Sequence, residues 1–210
     1  MKELLLATKN PGKYKEILEA LEGLPFKFIF LRDLDVEDSD FVEDGDSFSA
    51  NAHKKASYYF KKTGLLTLGE DSGILVDALE GELGVKTRRW GAGEFASDDE
   101  WIAHFMDRMA GEVNRAASFV CAAAVVGESV LAEFEGETAG LITKELQAPI
   151  TSGIPLSSCF LPGGMDEVYA ALGIEEKNRV SHRGKAMSMV KEFLNGLLDS
   201  NGDKESGSNV

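Results

Sequence analysis

The sequence predicts an α/β fold, a mixed central sheet flanked by helices and arranged in two lobes with a cleft between them. Three observations carry this. Strand-like apolar runs alternate with segments of helical period along most of the chain. Two of the runs, Ala116–Val126 and Val130–Glu135, are separated only by Gly127-Glu128-Ser129, so part of the sheet is an antiparallel hairpin. Finally, 210 residues without an internal repeat or a linker-like break suit one folded unit over 1–198. The Gly-, Ser- and charge-rich stretch 199–210 is expected to be a disordered tail.

The elements follow in order. Glu3–Thr8 reads as a buried strand. Asn10 suits a helix N-cap and Pro11 a first helical position, and Tyr14, Ile17, Leu18 and Leu21 recur at helical spacing through Pro11–Leu21. Phe26–Leu31 is a second strand, and Ser47–Lys62 a helix with alanines and aromatics at helical positions. Leu65–Leu68 and Ile74–Val76 read as strands on either side of an acidic turn, Gly69-Glu70-Asp71-Ser72-Gly73. Ser97–Met109 is a helix capped by Ser97, with Asp98, Asp99 and Glu100 favourable in its first turn. Met165–Leu172 and His182–Leu198 complete the set as helices.

Composition narrows the function classes. The chain is 43% hydrophobic and 28% charged, with no apolar run long enough to span a bilayer. Its start lacks the apolar stretch of a signal peptide, and two cysteines, Cys121 and Cys159, make no disulfide framework. A net charge of −14 argues against partners such as duplex nucleic acid or an anionic membrane, which need a basic surface. The expectation is a cytoplasmic protein acting on a small molecule.

Three segments carry chemistry. In Gly69-Glu70-Asp71-Ser72-Gly73, two adjacent acids follow a buried strand, where carboxylates persist only with a partner such as a divalent cation. The same five residues could equally be a polar turn. In Ala7-Thr8-Lys9-Asn10-Pro11-Gly12-Lys13, a strand runs into a capped helix start whose free N–H groups and dipole favour an anion, with Lys9 and Lys13 beside it. Many strand-to-helix junctions look alike without a ligand. In Ser181-His182-Arg183, the last helix begins with cations, the wrong sign for its dipole, so either an anionic or carbonyl-bearing ligand is recognised or the cluster is solvated. His53 and His104 sit on helices in ordinary surroundings.

Together, from residue 4 to about 195, these segments resemble the inosine triphosphate pyrophosphatases, which hydrolyse non-canonical purine nucleoside triphosphates to the monophosphate and pyrophosphate. The similarity spans the Ala7–Lys13 start and Glu43-Asp44-Gly45-Asp46-Ser47-Phe48 with Asn51-Ala52 and Lys55-Ala56. It continues through Gly69–Gly81 with Gly84-Val85, and ends in Lys177-Asn178 with Ser181–Ala186. The resemblance implies that the cleft binds a nucleotide and that Glu43, Glu70 and Asp71 hold Mg2+, with Mn2+ as an alternative. It implies that Asp71 is the catalytic residue, activating water. Thr8, Asn10, Lys13, Lys55 and Ser72 would bind the phosphates, and Lys177, Ser181, His182 and Arg183 the base. A homodimer is also implied.

The sequence departs from that family at the base end. Leu156-Ser157-Ser158 stands where the family has an aromatic-Asp-Pro triplet, and Gln147-Ala148-Pro149-Ile150 replaces a Gly-rich segment. The expectation is retained hydrolysis with altered base preference. The alternatives are a pyrophosphatase for another modified nucleotide and a nucleotide-binding regulator without turnover.

Overall fold

The computed structural model describes residues 1–93 and 95–206. A six-stranded mixed sheet runs in the order β2-β1-β3-β4-β5-β6. Its strands are β1 (Lys2–Leu6), β2 (Phe26–Phe30), β3 (Leu66–Val76), β4 (Ala116–Gly127), β5 (Val130–Ile142) and β6 (Phe160–Pro162). The helices are α1 (Pro11–Ala20), α2 (Phe48–Thr63), α3 (Asp98–Arg108), α4 (Ile174–Val180) and α5 (His182–Ser206). β1 pairs in parallel with β2 and β3, while β3, β4, β5 and β6 pair antiparallel. The fold class expected from the sequence is the one found.

Two apolar clusters give the molecule its two-sided build. Leu4, Leu6, Ile17, Leu21, Val190 and Leu194 pack α1 and α5 against one sheet face. Ile74, Val76, Trp101, Phe105, Phe160 and Tyr169 form a second core around α3 and the far ends of the strands. Small residues bring α2 unusually close to the sheet. Ala52 and Ala56 meet Ala122 and Ala124 of β4. A Cβ on Gly69 would lie 2.5 Å from the Ala52 carbonyl oxygen, so only glycine lets that helix dock. On β5, a Cβ at Gly136 would lie 2.2 Å from the His182 carbonyl oxygen, which fixes how closely the start of α5 approaches.

Several expectations need correction. The acidic segment is not a turn: β3 is continuous through it, with Glu70 and Asp71 facing Ala123 and Ala122 of β4. The two glycines suggested a break but serve close packing. β5 extends to Ile142 rather than Glu135, its alternation continuing through Gly136 and Gly140. No helix forms over Met165–Leu172, because the N–H groups of Tyr169 and Ala170 bond to the carbonyls of Phe160 and Ser157 rather than to one another's turn. The helix in that region is α4, which buries none of its residues and so leaves no apolar stripe to read. α5 is described to Ser206, past the expected end at Leu198, and residues 207–210 of the expected tail lie outside the described residues.

Candidate active site

Every site residue picked out by sequence except Glu70 lines one cleft of about 710 Å³, a size suited to a small-molecule ligand. The separation of Glu70 follows from strand geometry. Successive residues of β3 leave on opposite faces, so the carboxylates of Glu70 and Asp71 diverge.

Asp71 faces α2. Its Oδ2 accepts from Asn51 Nδ2 at 2.9 Å, and its Oδ1 from the Ser72 N–H at 2.9 Å. Asn51 Oδ1 in turn accepts from the Gly45 N–H at 2.8 Å, tying the 43–46 loop to the site. One helical turn on, Lys55 Nζ donates to the Glu70 carbonyl at 2.9 Å and pairs with Glu43. Burial pushes the Asp71 carboxyl above its ordinary value, and the Glu43 charge adds to this; Lys13, Lys55 and Asn51 offset only part of it.

Glu70 lies on the other face, 1% exposed. Arg183 donates to its Oε1 from Nη2 at 3.0 Å and Nε at 3.3 Å, and Lys13 Nζ forms an ion pair with Oε2 at 3.0 Å. Burial alone would raise its pKa, yet the Lys13 and Arg183 charges hold it well below the usual carboxylate range. Arg183 also donates to Ser72 Oγ at 2.8 Å and pairs with Glu16, which holds Lys177 Nζ at 2.5 Å. Burial opposes the charge on Lys13, but Glu70 raises its pKa; Arg183 is raised likewise by Glu70 and Glu16. Sequence reasoning missed Glu16. Its signal was available: it follows Lys13 by three residues on α1, the spacing that places two side chains on one helix face.

The start of α1 differs from expectation. Asn10 Oδ1 accepts from the N–H groups of both Gly12 and Lys13, and the Asn10 carbonyl accepts from Tyr14, so these amides are not free for an anion. Asn10 also reaches across the cleft, donating from Nδ2 to the Gly153 carbonyl at 2.8 Å, while Thr8 Oγ1 accepts from the Asn10 N–H. The positive charge at this end of the cleft is that of the Lys13 and Lys55 ammonium groups and of the helix dipole.

At the other end, Ser181 caps α5, its Oγ accepting from the Gly184 N–H at 3.0 Å. His182 and Arg183 are 5% and 4% exposed, which excludes a solvated cluster. The His182 ring stacks on Phe119 at 4.6 Å, and burial together with Arg183 pushes its pKa well below the ordinary histidine value, so the ring is neutral. His182 Nδ1 is buried with no hydrogen-bond partner among the described residues. Leu156 and Ser157 also line the cleft. Ser157 Oγ donates to the Ile154 carbonyl at 2.7 Å and Ser158 Oγ to that of Pro149 at 2.8 Å, so both hydroxyl protons serve the backbone. His53 bonds Glu133 at the surface and His104 packs beside Trp90, both outside the cleft.

Asp71 and Glu43, which line the same cleft, suit a hard divalent cation. Both supply carboxylate oxygens, and burial, with a smaller push from Glu43, raises the Asp71 pKa, a cost of carrying the charge that a bound cation would offset. The Glu70 carboxylate is held by Lys13 and Arg183, as that of Glu43 is held by Lys55, but it leaves β3 on the face opposite Asp71.

Comparison with known proteins gives a consistent set. The Ham1 family model matches residues 4–193. A dITP/XTP pyrophosphatase of Geobacter sulfurreducens is 37% identical over 197 residues, covering 92% of this chain and 97% of that protein. One from Symbiobacterium thermophilum is 39% identical over 202 residues, covering 94% and 98%. A solved Ham1 protein from Coxiella burnetii superposes with a TM-score of 0.78 at 32% identity, covering 93% of this chain and all of that one.

Proposed function

The chain belongs to the Ham1 family, and on that premise we propose that it hydrolyses non-canonical purine nucleoside triphosphates such as ITP, dITP and XTP to the monophosphate and pyrophosphate. The observation that supports this best is the arrangement of Asp71 beside Glu43, Lys55 and Lys13 in one cleft that also takes in the buried Ser181-His182-Arg183 turn. Phosphoryl transfer asks mainly for positioning and charge neutralisation, and this end of the cleft is built of those parts.

Each residue then has a task. Lys13 and Lys55 hold the triphosphate. Asp71, fixed in orientation by Asn51 and the Ser72 N–H, accepts the proton of the attacking water; its raised pKa makes it a stronger base than an exposed aspartate. Glu43 and Asp71 would hold a divalent cation, which we take to be Mg2+ with Mn2+ as an alternative. Bound there, such an ion would neutralise phosphate charge and lower the pKa of water. Glu70 and Glu16 act one step back, keeping Lys13, Arg183 and Lys177 in place.

Selectivity follows from the base end. Lys177, Ser181, His182 and Arg183 form a donor-rich wall that suits a keto oxygen. An adenine amino group there would leave donors unpaired, at about 1–3 kcal/mol each. Homodimeric assembly and a cytoplasmic location belong to the same proposal and rest on resemblance; among the described residues no helix is long and apolar enough to cross a membrane. Product analysis tests the reaction: ITP with Mg2+ should yield IMP and pyrophosphate in equal amounts. Release of IDP and orthophosphate would refute it.

A further inference from the structure

We infer that Trp101 is a specificity-determining residue, its indole N–H donating a hydrogen bond to an acceptor on the bound nucleobase. This rests on the nucleotide-binding reading of the cleft. Trp101 lies on α3, is 2% exposed and forms part of the cleft wall. Its Nε1 is buried and has no hydrogen-bond partner among the described residues. A buried donor without an acceptor is costly and rare, so one inside a ligand cleft points to an acceptor that the ligand brings. The other tryptophan shows the contrast: Trp90 Nε1 donates to Glu82 Oε2 at 3.2 Å.

The surroundings tie Trp101 to the Gly153–Leu156 segment of the cleft. Asp98, one turn before Trp101, accepts from the Gly153 N–H at 2.6 Å, docking the start of α3 on the segment that continues into Pro155-Leu156. Trp101 and Leu156 share one apolar cluster. The ring is held against Phe105, parallel at 5.5 Å and 11°, with Trp90 edge-on at 6.3 Å. In that stretch the side-chain hydroxyls of Ser157 and Ser158 donate to the backbone, and Leu156 offers no polar atom. Among the described residues the indole N–H and the Tyr169 hydroxyl are thus the buried side-chain donors of this apolar cluster without a partner, and the indole is the one carried by α3 beside the Leu156 segment. As a donor only, it favours a carbonyl or ring-nitrogen acceptor and disfavours an exocyclic amino group.

The test compares the wild type with Trp101→Phe, with inorganic tripolyphosphate as a base-free inhibitor. The substitution should lower kcat/KM for XTP and ITP about tenfold, as expected when one buried hydrogen bond is lost. The inhibition constant of tripolyphosphate should not change. Equal losses for both ligands, or unchanged nucleotide kinetics, would overturn the assignment. A second measurement does not depend on the variant folding. In 15N-labelled wild-type protein, with the two indole resonances assigned through Trp90→Phe, IMP should shift the Trp101 N–H signal and pyrophosphate should not. An indole that ignores saturating IMP, while ITP is still hydrolysed, would sink the role of Trp101 alone. A wild type that hydrolyses no nucleotide would sink the cleft reading and this inference with it.

Discussion

Replacing Glu70 with Gln separates two roles that the adjacent carboxylates of β3 could share. Glu70 is 1% exposed and neutralises Lys13 at 3.0 Å and Arg183 at 3.0 Å. Removing one partner of a buried ion pair costs about 3–5 kcal/mol, because the other charge stays behind in a poor solvent. Arg183 keeps Glu16, so the lower end of that range applies, and for a chain of this length about 3 kcal/mol lowers Tm by roughly 6–12 °C. Asp71→Asn loses only one accepting oxygen, worth about 1 kcal/mol, or roughly 2–4 °C. Thermal melts of the two variants with and without Mg2+ make the comparison. The account requires Glu70→Gln to be much the less stable of the two in the absence of metal. If it melts like the wild type but needs far more Mg2+ for turnover, then Glu70 is a metal ligand and the structural role assigned to it is wrong.

Two further perturbations probe the frame and the base end. Gly69→Ala puts a Cβ 2.5 Å from the Ala52 carbonyl, so α2 must shift and carry Asn51 and Lys55 with it; turnover of ITP should fall about a hundredfold, and unchanged kinetics would show that the close docking is dispensable. For His182, burial and Arg183 lower the folded-state pKa, so the unfolded chain binds the proton more readily. Its contribution to stability is complete above about pH 6.5 and is lost as pH falls from there toward the lowered folded value. Urea titrations at pH 7.5 and 5.5 should show that loss in the wild type and a smaller one in His182→Gln; parallel behaviour would refute the buried neutral ring.

What the sequence showed and what it hid have physical causes. The edges of α1, α2 and α3 were legible because Asn10, Ser47 and Ser97 are caps that act locally, and each accepts from its own first turn. The acidic segment was legible as chemistry but not as structure. Its glycines resemble turn formers, but Gly69 is there for the close approach of α2 and Gly73 for that of the Gly84 and Thr87 segment, contacts distant in sequence. α4 escaped notice because a helix that buries nothing has no stripe. In the site, the cluster around Asp71 could be read from residue types, whereas the divergence of Glu70 appears only once the segment is known to be a strand. Glu16 carried only the local signal of its spacing to Lys13, its partners Arg183 and Lys177 lying far away in sequence, and Trp101 carried none, its neighbours being the 153–156 segment. The departure at Leu156-Ser157-Ser158 was legible at once. Its consequence was not, since the two serines turn inward to backbone carbonyls.

The most direct test of the account is pyrophosphate release from ITP, dITP, XTP, GTP, ATP, dUTP and CTP with Mg2+, measured for the wild type and Asp71→Asn side by side. The account predicts ready release from ITP, dITP and XTP, poor release from ATP, and a loss of about a hundredfold or more in the variant. Wild-type-like rates in Asp71→Asn, or no preference for the keto purines, would contradict it.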